Sequence, residues 1–170
     1  MGGFDEHYGR PSVEDVELGG RLKKDGYRIR LSKTLQCKHL KGWGILSLLK
    51  SDFFDRALPW TNLILRNRAL INDLNLKSSN RLSAALVYAS LLLLVAAFWQ
   101  PGFLWAAAAF FAAFLALNYP LYRFFCSKRG FWFMIGAVPW HCIYYVSCGL
   151  AFAVGLARAL FVKSPAMPEK

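Results

Sequence analysis

Two long stretches of this sequence carry no charged side chain, and they limit what the chain can fold into. The first extends from Leu82 to Tyr122 and the second from Gly130 to Ala157. Amphipathic helices of soluble proteins carry charged residues along one face, and these stretches have none. Because about 20 apolar residues in a helix cross a hydrocarbon core of about 30 Å, the pattern favours membrane-spanning helices over a soluble helical core.

The sequence predicts three transmembrane helices. Gln100, Pro101 and Gly102 break the first stretch, so the helices are expected at about 82–99, 103–123 and 131–160. The third run is longer than one crossing requires, and we expect it to tilt or to bend at Pro139. His141 lies in this run, where a polar side chain marks a functional interior face or bonds to a neighbouring helix.

The basic residues predict an orientation. Of the 21 Lys and Arg, 15 precede residue 82, none lies in the turn 100–102, and three lie in the loop 123–129. The positive-inside rule places the segment 1–81 and this loop in the cytoplasm and the C-terminus outside. The net charge of +11 then faces an anionic lipid bilayer, and we expect no nucleic-acid partner because no such motif occurs.

Apolar and charged residues interleave at helical spacing in the segment 41–81. Over 44–58 the pattern predicts one amphipathic helix or two short ones, ended by Pro59. A second short helix is expected over 62–71 and a loop over 72–80. An apolar face flanked by bases suits the bilayer interface. The alternative is a helix that packs on a soluble domain.

The N-terminal segment, up to Leu31, is predicted to form a helix followed by a strand. Glu14, Asp15 and Glu17 open the helix, whose last turn is basic, as the helix dipole favours. Gly26 is placed to end it in the left-handed conformation. Residues 27–31 alternate apolar and basic side chains, which is typical of a half-buried strand. Since one helix and one strand cannot bury a core, the segment requires another layer.

A family resemblance is carried by three strings, GGFDE at 2–6, EDVELGGRL at 14–22 and the Gly-Tyr-Arg-Ile that begins at Gly26. Together they resemble the acceptor-side half of family 2 glycosyltransferases, inverting enzymes of the GT-A fold that use nucleotide-sugar donors. The later CKHLKGWGILSLLKSDFFDRALPW and the apolar runs resemble the membrane-attached bacterial members. By motif the resemblance extends from the start of the chain to the region of Asn80, and beyond that it depends on hydropathy alone.

What the resemblance implies is sugar transfer at the cytoplasmic face of a cell inner membrane. The acceptor would be a lipid-linked molecule or a saccharide, in polysaccharide or glycolipid synthesis of the cell envelope. Asp15 matches the catalytic base that takes the acceptor's proton, and Glu14 matches a neighbour that shapes the acceptor pocket. A polyprenyl phosphate acceptor needs no base, and Asp15 would then orient or repel charge. Capping of the helix N-terminus is the alternative reason for Glu14, Asp15 and Glu17.

The resemblance also implies acceptor contacts, from Gly2, Gly3, Phe4, His39, Lys41 and Trp43. The last three stand where processive family members have Gln-x-x-Arg-Trp. Here His39 replaces the Gln and Gly42 replaces the Arg, so processivity is in doubt and Lys41 or Lys38 would supply the positive charge. Trp43 is expected to stack on an acceptor sugar or, alternatively, to anchor the chain in the bilayer interface.

A complete enzyme of this family would hold a divalent metal, Mg²⁺ or Mn²⁺, at an Asp-x-Asp motif on the donor diphosphate. The sequence has no Asp-x-Asp and no His or Cys spacing typical of a metal site, so we expect no metal or cofactor in this chain. We therefore expect it to be inactive alone and to need a chain with the nucleotide-sugar-binding half. The alternative is a non-enzymatic three-helix membrane anchor or interaction subunit.

The predicted fold is a mainly α membrane protein with a small N-terminal α/β part. Residues 1–40 are expected to be the C-terminal remnant of a GT-A domain, and 41–81 to form amphipathic interfacial helices and a loop. The three-helix transmembrane region is expected over 82–163, followed by a tail at 164–170.

Overall fold

The computed structural model describes residues 2–6, 13–30, 32, 34–38, 40, 42–67 and 77–161. Regular structure in these ranges is helical throughout, which confirms the mainly α prediction. The helices are α1 (Glu14–Lys24), α2 (Ile45–Lys50), α3 (Leu58–Asn67), α4 (Ser78–Ala96), α5 (Phe103–Leu117), α6 (Tyr119–Arg129) and α7 (Phe131–Phe161), and a π-helical segment, Ser51–Ala57, joins α2 to α3. The chain divides into two compact units, the first made of Met1–Asn67 with Ala151–Lys170 and the second of Arg68–Leu150.

Helix α1 begins and ends where its sequence predicts. Acidic side chains occupy its first turn and basic ones its last, so both ends complement the helix dipole. At the C-terminus Gly26 takes φ +84°. The Tyr27 N–H donates to the Leu22 carbonyl at 2.9 Å, and the Gly26 N–H donates to the Lys23 carbonyl at 3.2 Å. These two bonds form a Schellman motif, which satisfies carbonyls that the helix end leaves free.

The strand predicted at 27–31 is not formed over 27–30, where the backbone is irregular; Leu31 lies outside the described residues. A strand is stabilised by hydrogen bonds to a neighbouring strand. The described ranges contain no second strand with which residues 27–30 could pair. The N-terminal part is therefore a helix followed by irregular chain, and the α/β arrangement expected for 1–40 is not seen there.

Residues 45–67 form one continuous helical segment, in place of two helices separated at Pro59. Its winding widens at Ser51 and returns to α-helical at Leu58. The Leu58 N–H donates to the Phe53 carbonyl, five residues back, as π-winding requires. Pro59 follows directly as the second residue of α3, and because proline has no N–H it donates no bond to the preceding turn of this continuous helical segment. Residues 68–71 of the predicted second helix lie outside the described residues.

Two helices are long and apolar enough to cross a membrane, and a bent pair makes a third candidate. The two are α4, with 19 residues, and α7, with 31 residues. The pair is α5 and α6, whose axes differ by 65°. Helix α4 begins at Ser78, so residues 78–80 belong to it and not to the predicted loop, whose positions 72–76 lie outside the described residues.

The second predicted span, 103–123, is broken at Asn118. Pro120 lies in the first turn of α6, and a proline restricts the residue before it and donates no N–H. The helix therefore stops at Leu117 and restarts at a new angle. In contrast, α7 continues through Pro139, and at about 1.5 Å per residue it is about 46 Å long.

The core of the second unit is aromatic and lies between α4, α5 and α7. Phe114 is fully buried beside Val87 and Tyr145. Where α4 crosses α7, the Tyr88 hydroxyl donates to the Val146 carbonyl at 2.8 Å. A Cβ added to Gly149 would overlap the Tyr88 ring. A small residue at this crossing therefore permits close helix packing, as is common between membrane helices.

In the first unit, α3 packs on the final turns of α7 through a similar contact. Thr61 is buried on α3, and a Cβ built on Gly155 would lie 3.1 Å from the Thr61 Cβ. Ala151, one turn before Gly155, is fully buried. The absence of a side chain at Gly155 thus makes room for Thr61.

A Gly155→Ala substitution is expected to destabilise this packing by about 1–3 kcal/mol, the usual cost of overfilling a close contact. Thr61 is β-branched and has few alternative rotamers, so it cannot easily move away from the new methyl group. Thermal unfolding of the full chain in detergent measures the effect.

Gly136→Ala is the matched control, because a Cβ at Gly136 on the same helix meets open space. That variant should be unchanged or slightly more stable, since alanine favours a helix over glycine. Adding Thr61→Ser to Gly155→Ala should restore part of the loss. Equal stability of the two alanine variants would contradict the contact.

Candidate functional site

The glycine turn at the start of the chain is fastened to α1 by one arginine. Arg21 Nη2 donates to the Gly3 carbonyl at 2.7 Å. The same guanidinium donates to the Glu17 carboxylate through Nε at 2.8 Å and Nη2 at 3.0 Å. The hydrogen bond to Glu17 raises the pKa of Arg21, whose side chain is in any case cationic. Arg21 thereby brings together two parts of the motif that are 18 positions apart in the sequence.

The turn itself needs glycine at both of its first positions. Gly2 has φ +70° and Gly3 has φ +74°, a region that other residues seldom adopt. Phe4 follows with an exposed ring. The three residues expected to line the acceptor side therefore lie in a tight turn beside α1, with an aromatic face open to solvent.

The predicted base lies in the first turn of α1. Asp15 is exposed, and its Oδ1 accepts the Val16 N–H at 2.8 Å. This bond satisfies one of the free N–H groups at the helix start. The start is anchored by Val13, which is buried at the N-cap position. The N-cap residue is Val13 and no side chain caps the helix, so the bond of Asp15 is confined to the first turn. Asp15 has the exposure that a base requires, while Glu14 is half-buried beside it.

Trp43 contacts the amphipathic segment. The Arg56 guanidinium carbon is 5.8 Å from the Trp43 ring centroid, within the range of a cation–π contact. Arg56 Nη1 also donates to Asp52 Oδ1 at 3.0 Å. This contact positions the indole against the π-helical segment. His39 and Lys41, the other two residues of the predicted acceptor triplet, lie outside the described residues.

Polar side chains in the second unit form a hydrogen-bonded cluster. Of its members, only His141 was singled out from the sequence. We use the name polar cluster for Asn80, Ser83, Asn118, Tyr122, His141 and Tyr145. The Tyr122 hydroxyl and His141 Nδ1 are 2.9 Å apart, and this hydrogen bond joins α6 to α7. Of the two interpretations of His141, it agrees with the bond to a neighbouring helix. Asn118 Nδ2 donates to Ser83 Oγ at 2.8 Å. The Tyr145 hydroxyl donates to Asn80 Oδ1 at 3.2 Å.

The polar cluster is well explained as packing. Its hydrogen bonds connect α4, α6, α7 and the break between α5 and α6, which is how polar groups among apolar helices are satisfied. In the part of the chain that the structure describes, no buried side-chain nitrogen or oxygen lacks a partner. The only signal in the sequence was a few polar residues within apolar runs, and it does not say which of them meet.

An apolar groove of about 880 Å³ lies between α4, α5 and α7 in the second unit. Its walls include Leu91 and Leu94 from α4, Leu104 and Trp105 from α5, and Ile143 from α7. Such walls favour an apolar ligand. Sequence reasoning did not find the groove, because it depends on how three helices cross.

The divalent metal that a complete family member would need has no ligand set in the described ranges. They contain no group of three or more His, Cys, Asp or Glu side chains that could hold a metal ion. The carboxylates of α1 therefore do not fit a metal centre by themselves, and no step is assigned to a metal on this chain.

Comparison of the chain with protein-family models, with curated proteins and with solved structures found no match. The family resemblance therefore depends on the residues of the first half of the chain and on their arrangement.

Proposed function

We propose that this chain is the acceptor-binding and membrane-anchoring part of a family 2 glycosyltransferase. It would act with a nucleotide-sugar-binding half carried by another polypeptide segment. The observation that carries the proposal is the contact of Arg21 with Gly3 and Glu17, because it joins the two strings that resemble the family. If the two strings resembled the family only by chance, there would be no reason to expect their residues to be in contact.

Asp15 is the proposed base. In an inverting transfer the acceptor hydroxyl attacks the sugar carbon from the face opposite the leaving diphosphate, and a carboxylate near the hydroxyl takes its proton. The side chain of Asp15 is exposed and its backbone is fixed by the first turn of α1. The exposed ring of Phe4 and the indole of Trp43 offer flat apolar surfaces of the kind that stack on sugars.

The segment 45–57 is proposed to lie in the bilayer interface on the cytoplasmic side. Leu46 is 82% exposed and Ile45 and Phe54 are largely exposed, although all three are strongly apolar. Lys50 and Arg56 are exposed on the same segment and can reach anionic headgroups. Because α3 packs on the end of α7, this segment is attached directly to a helix long enough to cross the membrane.

The irregular residues 27–30 are proposed to complete a sheet of the nucleotide-sugar-binding half. Their alternation of apolar and basic side chains suits a strand, but a strand forms only beside a partner. Tyr27 and Ile29 are both 60% exposed, so their apolar surface is available to pack against the layer that such a sheet would supply. This accounts for a strand pattern that forms no strand in this chain.

Reconstitution of the two halves tests the proposal. The full chain and a separately expressed nucleotide-sugar-binding half are combined in membranes and supplied with labelled UDP- and GDP-sugars. Label is expected in the lipid extract or in an added saccharide only when both halves are present. If the assembled pair neither hydrolyses nor transfers from any of these donors, the proposal fails and the non-enzymatic anchor becomes the better explanation.

A further inference from the structure

We propose that α6 and the first residues of α7 form a binding surface for anionic phospholipid headgroups. We use the name basic corner for residues 119–133. The proposal concerns the second unit alone and does not depend on glycosyl transfer.

The basic corner lies where the charge-free stretch that ends at Tyr122 gives way to charged residues, between the bent pair α5 and α6 and the start of α7. Helix α6 has 11 residues and at about 1.5 Å per residue is about 16 Å long, about half of a hydrocarbon core. It leaves the axis of α5 at 65°. Gly130, with φ +87°, ends α6 and allows α7 to begin at once. The rings of Phe125 and Phe133 meet edge to face at 5.6 Å and fix the two helices at this turn.

The positive charge of the basic corner is not neutralised by any carboxylate in the described part of the second unit. Arg123, Lys128 and Arg129 are all exposed. The sequence has no Asp or Glu between residues 77 and 150, so the described part of the second unit offers these bases no carboxylate. Three exposed cations on one helix of 11 residues, with no acid in the described part of the same unit, favour an external anion.

The aromatic side chains around these bases indicate which anion. Tyr119, Phe124, Phe131 and Trp132 are exposed, Trp132 at 82%. Aromatic rings next to Lys and Arg at the ends of apolar helices are typical of the headgroup region of a bilayer. A free phosphate or an acidic peptide would gain nothing from the rings, whereas a phospholipid uses both the bases and the rings. The partner we infer is therefore an anionic lipid surface.

Photocrosslinking locates the contact. The full chain in mild detergent is mixed with phosphatidylglycerol that carries a diazirine in its headgroup, irradiated, and digested for mass spectrometry. Crosslinks are expected within 119–133, and unlabelled phosphatidylglycerol should displace the probe far better than phosphatidylcholine. Equal displacement by phosphatidylcholine, by inorganic phosphate or by polyglutamate would overturn the proposal, as would an absence of crosslinks in this range.

A charge-neutral variant tests the role of the bases. Arg123→Gln, Lys128→Gln and Arg129→Gln together should lower crosslinking in 119–133 by about 100-fold, because each base near an anionic surface contributes about fivefold. Replacing both arginines by lysine should preserve crosslinking. Arg158→Gln removes an exposed base elsewhere on α7 and should leave it unchanged. Thermal unfolding of each variant shows that it is folded, and unchanged crosslinking in a folded triple variant would overturn the proposal.

Discussion

An Asp15→Asn variant of the reconstituted enzyme is expected to transfer sugar to a saccharide acceptor about 10²–10⁴-fold more slowly than wild type, the usual contribution of a general base. Asparagine has nearly the same shape and keeps the oxygen that accepts the Val16 N–H at 2.8 Å. The first turn of α1 should therefore be preserved while the group that takes the proton is lost. The initial rate of label transfer at saturating donor measures the effect.

Asp25→Asn is the matched control for this variant. Asp25 is an exposed acid at the C-cap of the same helix and is not among the residues proposed to contact substrate. Its replacement should leave the rate within about twofold of wild type, since surface substitutions away from a site usually change little. A polyprenyl phosphate acceptor needs no base, so the comparison requires a hydroxyl acceptor. Equal rates for Asp15→Asn and wild type with that acceptor would remove Asp15 from the mechanism.

A Phe114→Ala variant is expected to lose about 3 kcal/mol of stability, the low end of the range for deleting a buried phenylalanine ring. Phe114 is fully buried, with its ring 5.9 Å from that of Tyr145 and 5.5 Å from that of His141. The low end applies because lipid is as apolar as the protein interior, so the loss comes from packing contacts and the cavity. Thermal or denaturant unfolding in detergent measures it.

Phe110→Ala on the same helix is the control for this loss. The Phe110 side chain is 42% exposed, so its removal opens no enclosed cavity and should cost much less. The difference between the two variants isolates the effect of burial from that of losing a phenylalanine. If both variants unfold at the same temperature, Phe114 is not the centre of the packing between α4, α5 and α7.

The candidate site was predictable from the sequence where its interactions are local. The acids, the bases and Gly26 of α1 act on the same few turns, so their order along the chain was enough to place the helix and its end. The contact between Arg21 and Gly3 joins positions 18 apart, and no sequence pattern indicated it. The continuous helix through Pro59 was also missed, because π-winding has no clear sequence signal.

The orientation in the membrane and the roles of Glu14, Asp15 and Trp43 stay predictions, to be decided by the experiments above. The polar cluster shows why pairings between helices lie beyond sequence reasoning. Ser83 and Asn118 are 35 positions apart, and Asn80 and Tyr145 are 65 apart. Each was visible as a polar residue in or beside an apolar run, but its partner depends on how the helices cross.

The sequence by itself determined the helical, apolar character of the stretches 82–122 and 130–157, because a stretch without charge is stable as a helix among apolar surroundings wherever its neighbours lie. Tertiary structure decided what depends on distant partners. Tyr88 reaches the Val146 carbonyl only because α4 crosses α7, and residues 27–30 form no strand without a second one beside them. The physical reason is the range of the interactions: burial and helix capping depend on nearby residues, whereas strand pairing and helix crossings depend on groups brought together by the fold.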